Sequence, residues 1–368
     1  MTSARTSASQ KIFISDCEGP ISKNDNAFEL ASHFIPKGDR LFTLISRYDD
    51  ILADIVKRVG YKAGDTLKLI LPFLKAYGAS DEKMRDFSSQ NLILMPGAKE
   101  MLKFVRGFMP SYIVSTSYAQ YMHALCVAVE FPFENVRCTR VDLDNYVVVS
   151  REEAEVKRLA ERIVRLPMLK IPRGAGSLAD LPKRMQDTVQ RLDEIFWEEI
   201  PSMKIGRLVA EVNPVGGSEK AAEVKDIVTK LNRGLENVMY VGDSITDASA
   251  FQLVRGAGGL AVSFNGNNFA VREAEVAVLS RNAIVTAVLA SIFSRFGKAR
   301  LVTFIREWKP STMEKAGLYE PLNECFTKTC SDEFPTIKLI TGRNVAKLMQ
   351  ESTLFRKKVR GEAVGKLG

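Results

Sequence analysis

Two carboxylates, Asp16 and Glu18, follow a short β-rich run at 11–15 and are separated by a single residue, Cys17. A carboxylate at the end of a strand can attack phosphorus and form an aspartyl-phosphate. A second carboxylate two residues further on can protonate the leaving oxygen and later deprotonate water. The pattern therefore indicates a nucleophile and an acid–base group, with an ordinary acidic surface turn as the alternative.

Ser115 and Thr116 are candidates for binding the oxygens of a phosphoryl group. They follow an apolar run at 112–114. A hydroxyl beside the backbone amides that open a helix suits a phosphate oxygen. The alternative for Ser115 is a helix N-cap that binds no ligand.

Lys220 lies at the expected start of a helix, after a glycine pair at 216–217. An ammonium group aimed into a phosphate site would stabilise the negative charge of the transition state. The alternative is a solvated lysine, and Lys225 lies on the same predicted helix. The choice of Lys220 depends on order and spacing along the chain rather than on the local sequence.

Asp243 directly follows a strongly apolar run at 238–242, and Asp247 lies four residues further on. Mg²⁺ prefers a few carboxylates together with waters and substrate oxygens. Asp243 could supply one ligand, while Asp247 could hold a ligand water or orient Lys220. A helix N-cap would explain Asp243 but would leave Asp247 unexplained.

The elements that must position these residues alternate along the chain. Strands are expected at 11–15, 111–114, 237–241, 259–263 and 274–279, the last of these being the final strand, with a strand pair at 136–150 around Asp144 and Asn145. Helices are expected at 98–107, 118–129, 219–231 and 282–295. Such alternation predicts an α/β fold with a parallel sheet and right-handed crossovers. Ligands bind such sheets beyond the carboxyl ends of the strands, where the candidate residues lie.

Helical blocks interrupt this alternation and define the expected domains. We expect an α/β core at 1–20, 91–149 and 201–297, a helical cap at 21–90, a helical insertion at 150–200 and a mostly helical C-terminal extension at 298–368. Residues 1–10 are expected to form a frayed tail. Candidate substrate contacts in the cap are Lys23, Asn24, Arg47 and Tyr48.

Composition excludes several classes of protein. Five cysteines without metal-ligand spacing and only two histidines argue against zinc and iron–sulfur sites and favour reduced thiols in the cytoplasm. No apolar run is long enough for a membrane span. The net charge of +8 comes partly from a predicted solvated basic helix end at 356–360. Without interleaved aromatic residues, this charge does not predict a nucleic-acid partner.

The order of these patterns resembles the haloacid dehalogenase-like (HAD) superfamily over about residues 11–295. The resemblance implies a Rossmann-like sheet, an Mg²⁺ cofactor and a helical cap like that of phosphoserine phosphatase-like members. It implies that Asp16 is the nucleophile and a metal ligand, and that Glu18 is the acid–base group with its backbone carbonyl on the metal. It further implies that Ser115 and Lys220 bind the phosphoryl group. Asp243 would ligate the metal with support from Asp247.

Glu18 stands where most phosphatases of this superfamily have aspartate. The form found here is similar to that of enolase-phosphatases and phosphoserine/homoserine phosphotransferases, and it favours phosphoryl transfer. Cys17 has no nearby histidine to activate it and is expected to be a packed small residue that points away from the cleft. The histidines, His33 and His123, are expected to be structural.

The expected function is Mg²⁺-dependent phosphatase or phosphotransferase activity on a small phosphorylated metabolite. The alternative is a regulatory or assembly protein on the same scaffold, with weak or lost turnover. The segments at 150–200 and beyond 298 would suit a second cap, an oligomer interface or a docking surface. The whole-chain layout also resembles archaeal HAD-like proteins labelled as a subunit of an energy-converting hydrogenase, although the chain has no cysteine cluster for such chemistry.

Overall fold

The computed structural model describes residues 10–172, 174–313 and 317–366. Of the expected N-terminal tail, only Gln10 lies within the described residues. Arg173, in the expected loop at 172–176, lies outside them. Among the described residues, no helix is both long enough and apolar enough to cross a membrane.

A seven-stranded sheet forms the centre of the described chain, in the order β3-β2-β1-β4-β5-β6-β7. The first six strands are parallel, and β7 pairs antiparallel to β6 at one edge. The strands are β1 Ile12–Ser15, β2 Ser111–Tyr118, β3 Val136–Thr139, β4 Val238–Gly242, β5 Leu260–Phe264, β6 Val276–Leu279 and β7 Thr336–Leu339. The predicted α/β fold with a Rossmann-like parallel sheet is confirmed.

The central strands are buried along their whole length, as expected for parallel strands that are covered by helices on both faces. Every residue of β1, β4, β5 and β6 is buried. One face packs against α5 Ala98–Arg106, α6 Ala119–Val129 and α13 Ile284–Arg306. The other face packs against α10 Ser218–Lys230, α11 Ala248–Gly256 and α12 Asn268–Glu273.

A second apolar core belongs to the helices outside the sheet. These are α1 Asn26–Phe34, α2 Gly38–Asp50, α3 Thr66–Ala76, α4 Asp81–Asn91, α7 Ser150–Arg165, α8 Lys183–Glu194 and α9 Arg207–Glu211. Buried side chains from the first helical block and from the insertion belong to one cluster, which extends to Val212. The expected cap and insertion therefore form a single helical unit. The expected boundary at residue 200 is too early, because Ile205 and Leu208 pack in this unit.

The segment after β3 is not the strand pair that we expected around Asp144 and Asn145. Only β3 pairs with the sheet, and Leu143–Asn145 forms a short 3-10 turn. Leu143 is fully buried in the cap cluster. Apolar burial under the cap, rather than pairing with a neighbouring strand, determines the conformation of this segment.

The C-terminal extension adds both helices and a strand. Helix α13 continues past the expected end at 295, with a backbone break at Gly297, where φ is 76°. The remaining helices are α14 Pro310–Met313, α15 Glu320–Thr329 and α16 Val345–Arg360. The expectation that 274–279 is the last strand is wrong, because β7 continues the sheet beyond β6. Pairing of β7 brings the chain back to the sheet and places α16 near the carboxyl ends of the strands.

Candidate active site

The site lies where the strand order changes direction, beside β1 and β4. These strands pair in parallel with Ser15 opposite Val241, and the backbone amide of Asp16 donates to the carbonyl of Val241 at 2.7 Å. Asp16 and Asp243 therefore emerge from neighbouring strands at the same edge. In open α/β sheets, this is the place where ligands bind.

Lys220 connects the two halves of the site. Its Nζ lies 2.7 Å from Oδ2 of Asp16 and 2.8 Å from Oδ1 of Asp247, and the side chain is fully buried. Burial alone would lower the pKa of Lys220, but the two carboxylates outweigh burial and raise it. The lysine therefore remains charged, and Lys225, which is exposed, is not the residue in the site.

Asp247 positions its neighbours rather than presenting a free carboxylate. Its Oδ1 accepts from Lys220 and from the hydroxyl of Tyr240 at 2.7 Å. Its Oδ2 accepts from the backbone amides of Asp243 and Ser244 at 2.9 and 3.0 Å. With both oxygens engaged, Asp247 suits the orienting role that was one of the two sequence expectations for it.

Burial makes Asp16 an unusual carboxylate. Burial raises the pKa of Asp16 to about 7 against the attraction of Lys220, and the nearby Asp247 and Asp243 raise it further. One Asp16 oxygen accepts from the amide of Cys17 at 2.7 Å, and the other contacts Lys220. These contacts fix the carboxylate in one orientation, as an attacking group requires.

The donor set suits a divalent cation. One carboxylate oxygen from each of Asp16, Asp243 and Asp247 lies within 4.8 Å of the other two. Hard divalent cations prefer oxygen ligands of this kind. Each oxygen of Asp247 accepts at least two hydrogen bonds that a cation would have to displace, whereas a single contact holds each oxygen of Asp16. Asp16 and Asp243 are therefore the better candidates for direct contact with the ion. Gly19, at φ 104°, passes so close to Asp243 that a Cβ there would overlap its carboxylate.

Glu18 borders the same cavity and also contacts the cap. Its Oε1 accepts from the backbone amide of Asn26 at 2.9 Å, at the first turn of α1. Burial raises the pKa of Glu18 well above its usual range, and the neighbouring Asp25 raises it further. A carboxyl group that holds its proton near neutral pH can act as a general acid.

The hydroxyl candidates lie on β2, which continues past Ser115 to Tyr118. Ser115 Oγ accepts from the amide of Ser117 at 3.2 Å and contacts its hydroxyl at 3.1 Å. Thr116 Oγ1 is buried and has no hydrogen-bond partner among the described residues. Both residues line the cavity with Asp16. The structure thus brings both candidates to the cavity, but the predicted strand ended too early, at residue 114.

Arg356 and Arg360 enter the site from α16, where the sequence predicted a solvated basic helix end. Both side chains are buried, and both contact Oδ2 of Asp243, Arg360 at 3.0 Å. The prediction is wrong for these arginines and correct for Lys358, which is exposed. Their spacing of four residues was the only available signal, since it places them on one helix face.

A cavity of about 100 Å³ lies between the edge of the sheet and the cap. The cap contributes Phe42, Ser46, Asp49, Asp50, Thr66 and Leu67 to its lining. Tyr48, a predicted substrate contact, instead donates to Asp193 at 2.5 Å within the cap. This volume is large enough for a phosphoryl group.

The remaining candidates from the sequence, Cys17, His33 and His123, pack against other side chains. Cys17 is fully buried in the core beneath α5 and α6, and burial raises the pKa of its thiol. The ring of His33 packs against Phe87, and that of His123 stacks on Phe133. These contacts support the predicted packing roles.

No protein-family model and no curated protein matches the chain. Among solved structures, the chain is similar to gene product AF1437 from Archaeoglobus fulgidus, with 26% sequence identity and a TM-score of 0.81. The likeness covers 98% of this chain and 99% of that chain. The fold described here, with its cap and C-terminal segment, is therefore shared over nearly the whole length of both proteins.

Proposed function

We propose that the protein is a divalent-cation-dependent phosphoryl-transfer enzyme of the HAD type, acting on a small phosphorylated metabolite. The observation that carries the proposal is the buried Lys220, which joins the carboxylates of Asp16 and Asp247 beside Asp243. A fixed carboxylate, a buried cation and a further carboxylate at one sheet edge match the requirements of an aspartyl-phosphate mechanism.

In the proposed reaction, an oxygen of ionised Asp16 attacks the phosphorus of the substrate. A bond forms between Asp16 and phosphorus while the bond from phosphorus to the leaving oxygen breaks. Glu18 donates its proton to that oxygen. Glu18 then removes a proton from the attacking water, or from an acceptor hydroxyl. The oxygen of that molecule forms a new bond to phosphorus while the bond from phosphorus to Asp16 breaks, which restores the carboxylate. The first route is hydrolysis and the second is phosphotransfer.

Lys220 would favour the ionised form of Asp16 and partly neutralise the charge that develops on the phosphoryl oxygens. Mg²⁺ held by Asp16 and Asp243 would add electrostatic stabilisation of the same charge. Thr116 supports a phosphate position, because a phosphoryl oxygen would supply the partner that its buried hydroxyl lacks within the described part of the chain.

The cap supports a substrate role, since it lines the cavity opposite the strands and can exclude water during the reaction. The five free cysteines support a reducing, cytoplasmic compartment. The proposal requires no nucleic-acid partner. The helical unit and the extension offer surfaces for an oligomer.

The alternative is a regulatory or assembly protein on the same scaffold. The contact of Arg356 and Arg360 with Asp243 favours it, because two guanidinium groups occupy the side of a carboxylate that the enzyme would use for a cation. The buried contact between Lys220 and Asp16 favours the proposed enzymatic function.

The test is Mg²⁺-dependent release of phosphate from a generic aryl phosphate and from a panel of phosphorylated metabolites. The control is Asp16→Asn, which keeps the shape of the nucleophile but removes its charge. Turnover that disappears in the variant and after chelation of Mg²⁺ is the expected result. Equal rates for the two folded proteins on every substrate, with and without acceptor alcohols, would favour the regulatory alternative.

A further inference from the structure

Helix α16 presents one face to the site, composed of residues at intervals of four. Leu348, Ser352 and Arg356 are buried along this face, and Arg360 continues it. Residues four apart lie one above the other on a helix. The face therefore begins with an apolar contact and ends with two cationic groups over Asp243.

The two arginines contact the same carboxylate that would bind the proposed cation. Arg356 and Arg360 both contact Oδ2 of Asp243, and Arg356 also donates to the Asp243 carbonyl at 3.3 Å. A guanidinium and a divalent cation at the same oxygen repel each other and compete for the same electron pairs. Both cannot occupy this oxygen in its present geometry.

Arg360 also links α16 to the entrance of the cap. Its Nε donates to the carbonyl of Lys23 at 3.0 Å, and its Nη2 donates to the carbonyl of Asn24. These residues connect the site segment after β1 with the first cap helix, α1. Arg360 therefore binds both the Asp243 carboxylate and the segment that leads into the cap.

Helix α16 fully buries one apolar side chain, Leu348, while its Val345, Met349 and Val359 pack on the core and are only partly buried. Ser352 donates to the carbonyl of Gly266 at 2.5 Å, and Thr353 contacts Asn268 at 3.2 Å. Leu348 joins a small apolar cluster with Val271. Segments with few buried apolar contacts open at lower free energy than core elements. The helix can therefore be displaced without unfolding the sheet.

We propose that α16 is an intramolecular inhibitor of cation binding, in which Arg356 and Arg360 compete with a divalent cation for Asp243. The inference rests on the proposed cation site at Asp16 and Asp243. Binding of the ion displaces the arginines from Asp243 and releases the contacts of Arg360 with the cap entrance.

The experiment is calorimetric titration of the full chain with Mn²⁺. Four proteins are compared: the wild type, R356Q/R360Q, the charge-matched control K357Q/K358Q on the same helix, and D243N. We expect R356Q/R360Q to bind Mn²⁺ at least tenfold more tightly than the wild type. The control should bind like the wild type, and D243N should show no binding.

Hydrogen exchange on the wild type supplies a second measurement that does not depend on whether the variants fold. Saturating Mn²⁺ should increase amide exchange in residues 345–360 and leave exchange in β4 unchanged. Equal Mn²⁺ affinity in the wild type and R356Q/R360Q, or unchanged exchange in α16, would overturn the competition while leaving the cation site intact. Absence of Mn²⁺ binding in every protein would instead overturn the cation site, and the inference with it.

Discussion

Nζ of Lys220 lies 2.7 Å from Oδ2 of Asp16, and almost no surface of either side chain is exposed. The two residues are far apart in sequence and meet because α10 and β1 converge at one edge of the sheet. The attraction between buried charges is strong, and so is the cost of leaving one of them alone. This pair therefore governs both the stability and the chemistry of the site.

Replacing Lys220 should lower both the stability of the protein and its activity. Lys220→Met leaves Asp16 and Asp247 as neighbouring buried carboxylates without their cation, and we expect a loss of about 3–5 kcal/mol in the free energy of unfolding. Phosphate release should also fall to background. Urea denaturation measures the first effect, and the aryl phosphate assay measures the second.

Lys225→Met is the matched control for this substitution, because Lys225 is exposed on the same helix. We expect a change within about 0.5 kcal/mol and normal turnover. If Lys220→Met were as stable as Lys225→Met, the buried ion pairs would not exist in solution.

Asp243 and Asp247 should differ in their effect on cation binding. Mg²⁺ should raise the melting temperature of the wild type, since a ligand that binds only the folded state stabilises it. Asp243→Asn should abolish this increase because it removes a direct ligand. Asp247→Asn should lower the melting temperature itself, because an amide cannot accept from both Lys220 and the backbone amides of Asp243 and Ser244.

Each variant is compared with its own metal-free baseline in a thermal scan with and without Mg²⁺. We expect Asp247→Asn to retain part of the Mg²⁺-induced increase. Loss of the entire increase in Asp247→Asn, at a normal baseline temperature, would make Asp247 a metal ligand rather than a positioning residue.

The close approach of Gly19 to Asp243 gives a further prediction. Gly19→Ala should displace the Asp243 carboxylate and weaken cation binding, because the added methyl group overlaps it. Gly60→Ala is the control, since Gly60 also has positive φ, at 74°, but has open space around it. Both variants carry a strain of about 1–2 kcal/mol. The overlap should cost Gly19→Ala about 2 kcal/mol more.

The comparison uses thermal unfolding and Mn²⁺ titration on both variants. Only Gly19→Ala should lose affinity for the ion. If the two alanine variants had the same stability and the same affinity, Asp243 would not be held against Gly19 as the structure places it.

Most of the site could be predicted from the sequence because its residues follow recognisable strands. Asp16 and Asp243 come directly after apolar runs, and the carboxyl ends of parallel strands meet at one edge. The position of Lys220 followed from order and spacing alone. For Asp16 and Asp243 the local sequence was sufficient, since each is fixed by the strand that immediately precedes it.

The contribution of α16 could not be predicted in the same way. A basic helix end has the same sequence pattern whether it is solvated or folded back over the site. Its position depends on the antiparallel pairing of β7 with β6, a contact between segments far apart in sequence. The shared core of the cap and the insertion depends on long-range packing for the same reason.

The pH dependence of stability gives the last prediction. Burial raises the pKa of Asp50 to about 6, against the attraction of Arg47, whereas an unfolded aspartate has a pKa of about 3.9. Between these values the folded state binds the proton more tightly than the unfolded state, so stability falls as the pH rises through this window. The loss is complete above about pH 7 and amounts to about 3 kcal/mol.

Asp50→Asn should remove the part of this slope that Asp50 contributes, because the side chain is then uncharged in both states. Urea denaturation of the metal-free protein from pH 4 to 7.5 gives the free energy of unfolding, and the wild type should lose stability relative to the variant as the pH rises. Asp39→Asn, an exposed position on the same helix, should keep the slope of the wild type. Parallel curves for the wild type and Asp50→Asn would show that the Asp50 carboxylate is hydrated in solution and that the cap is more open than the structure describes.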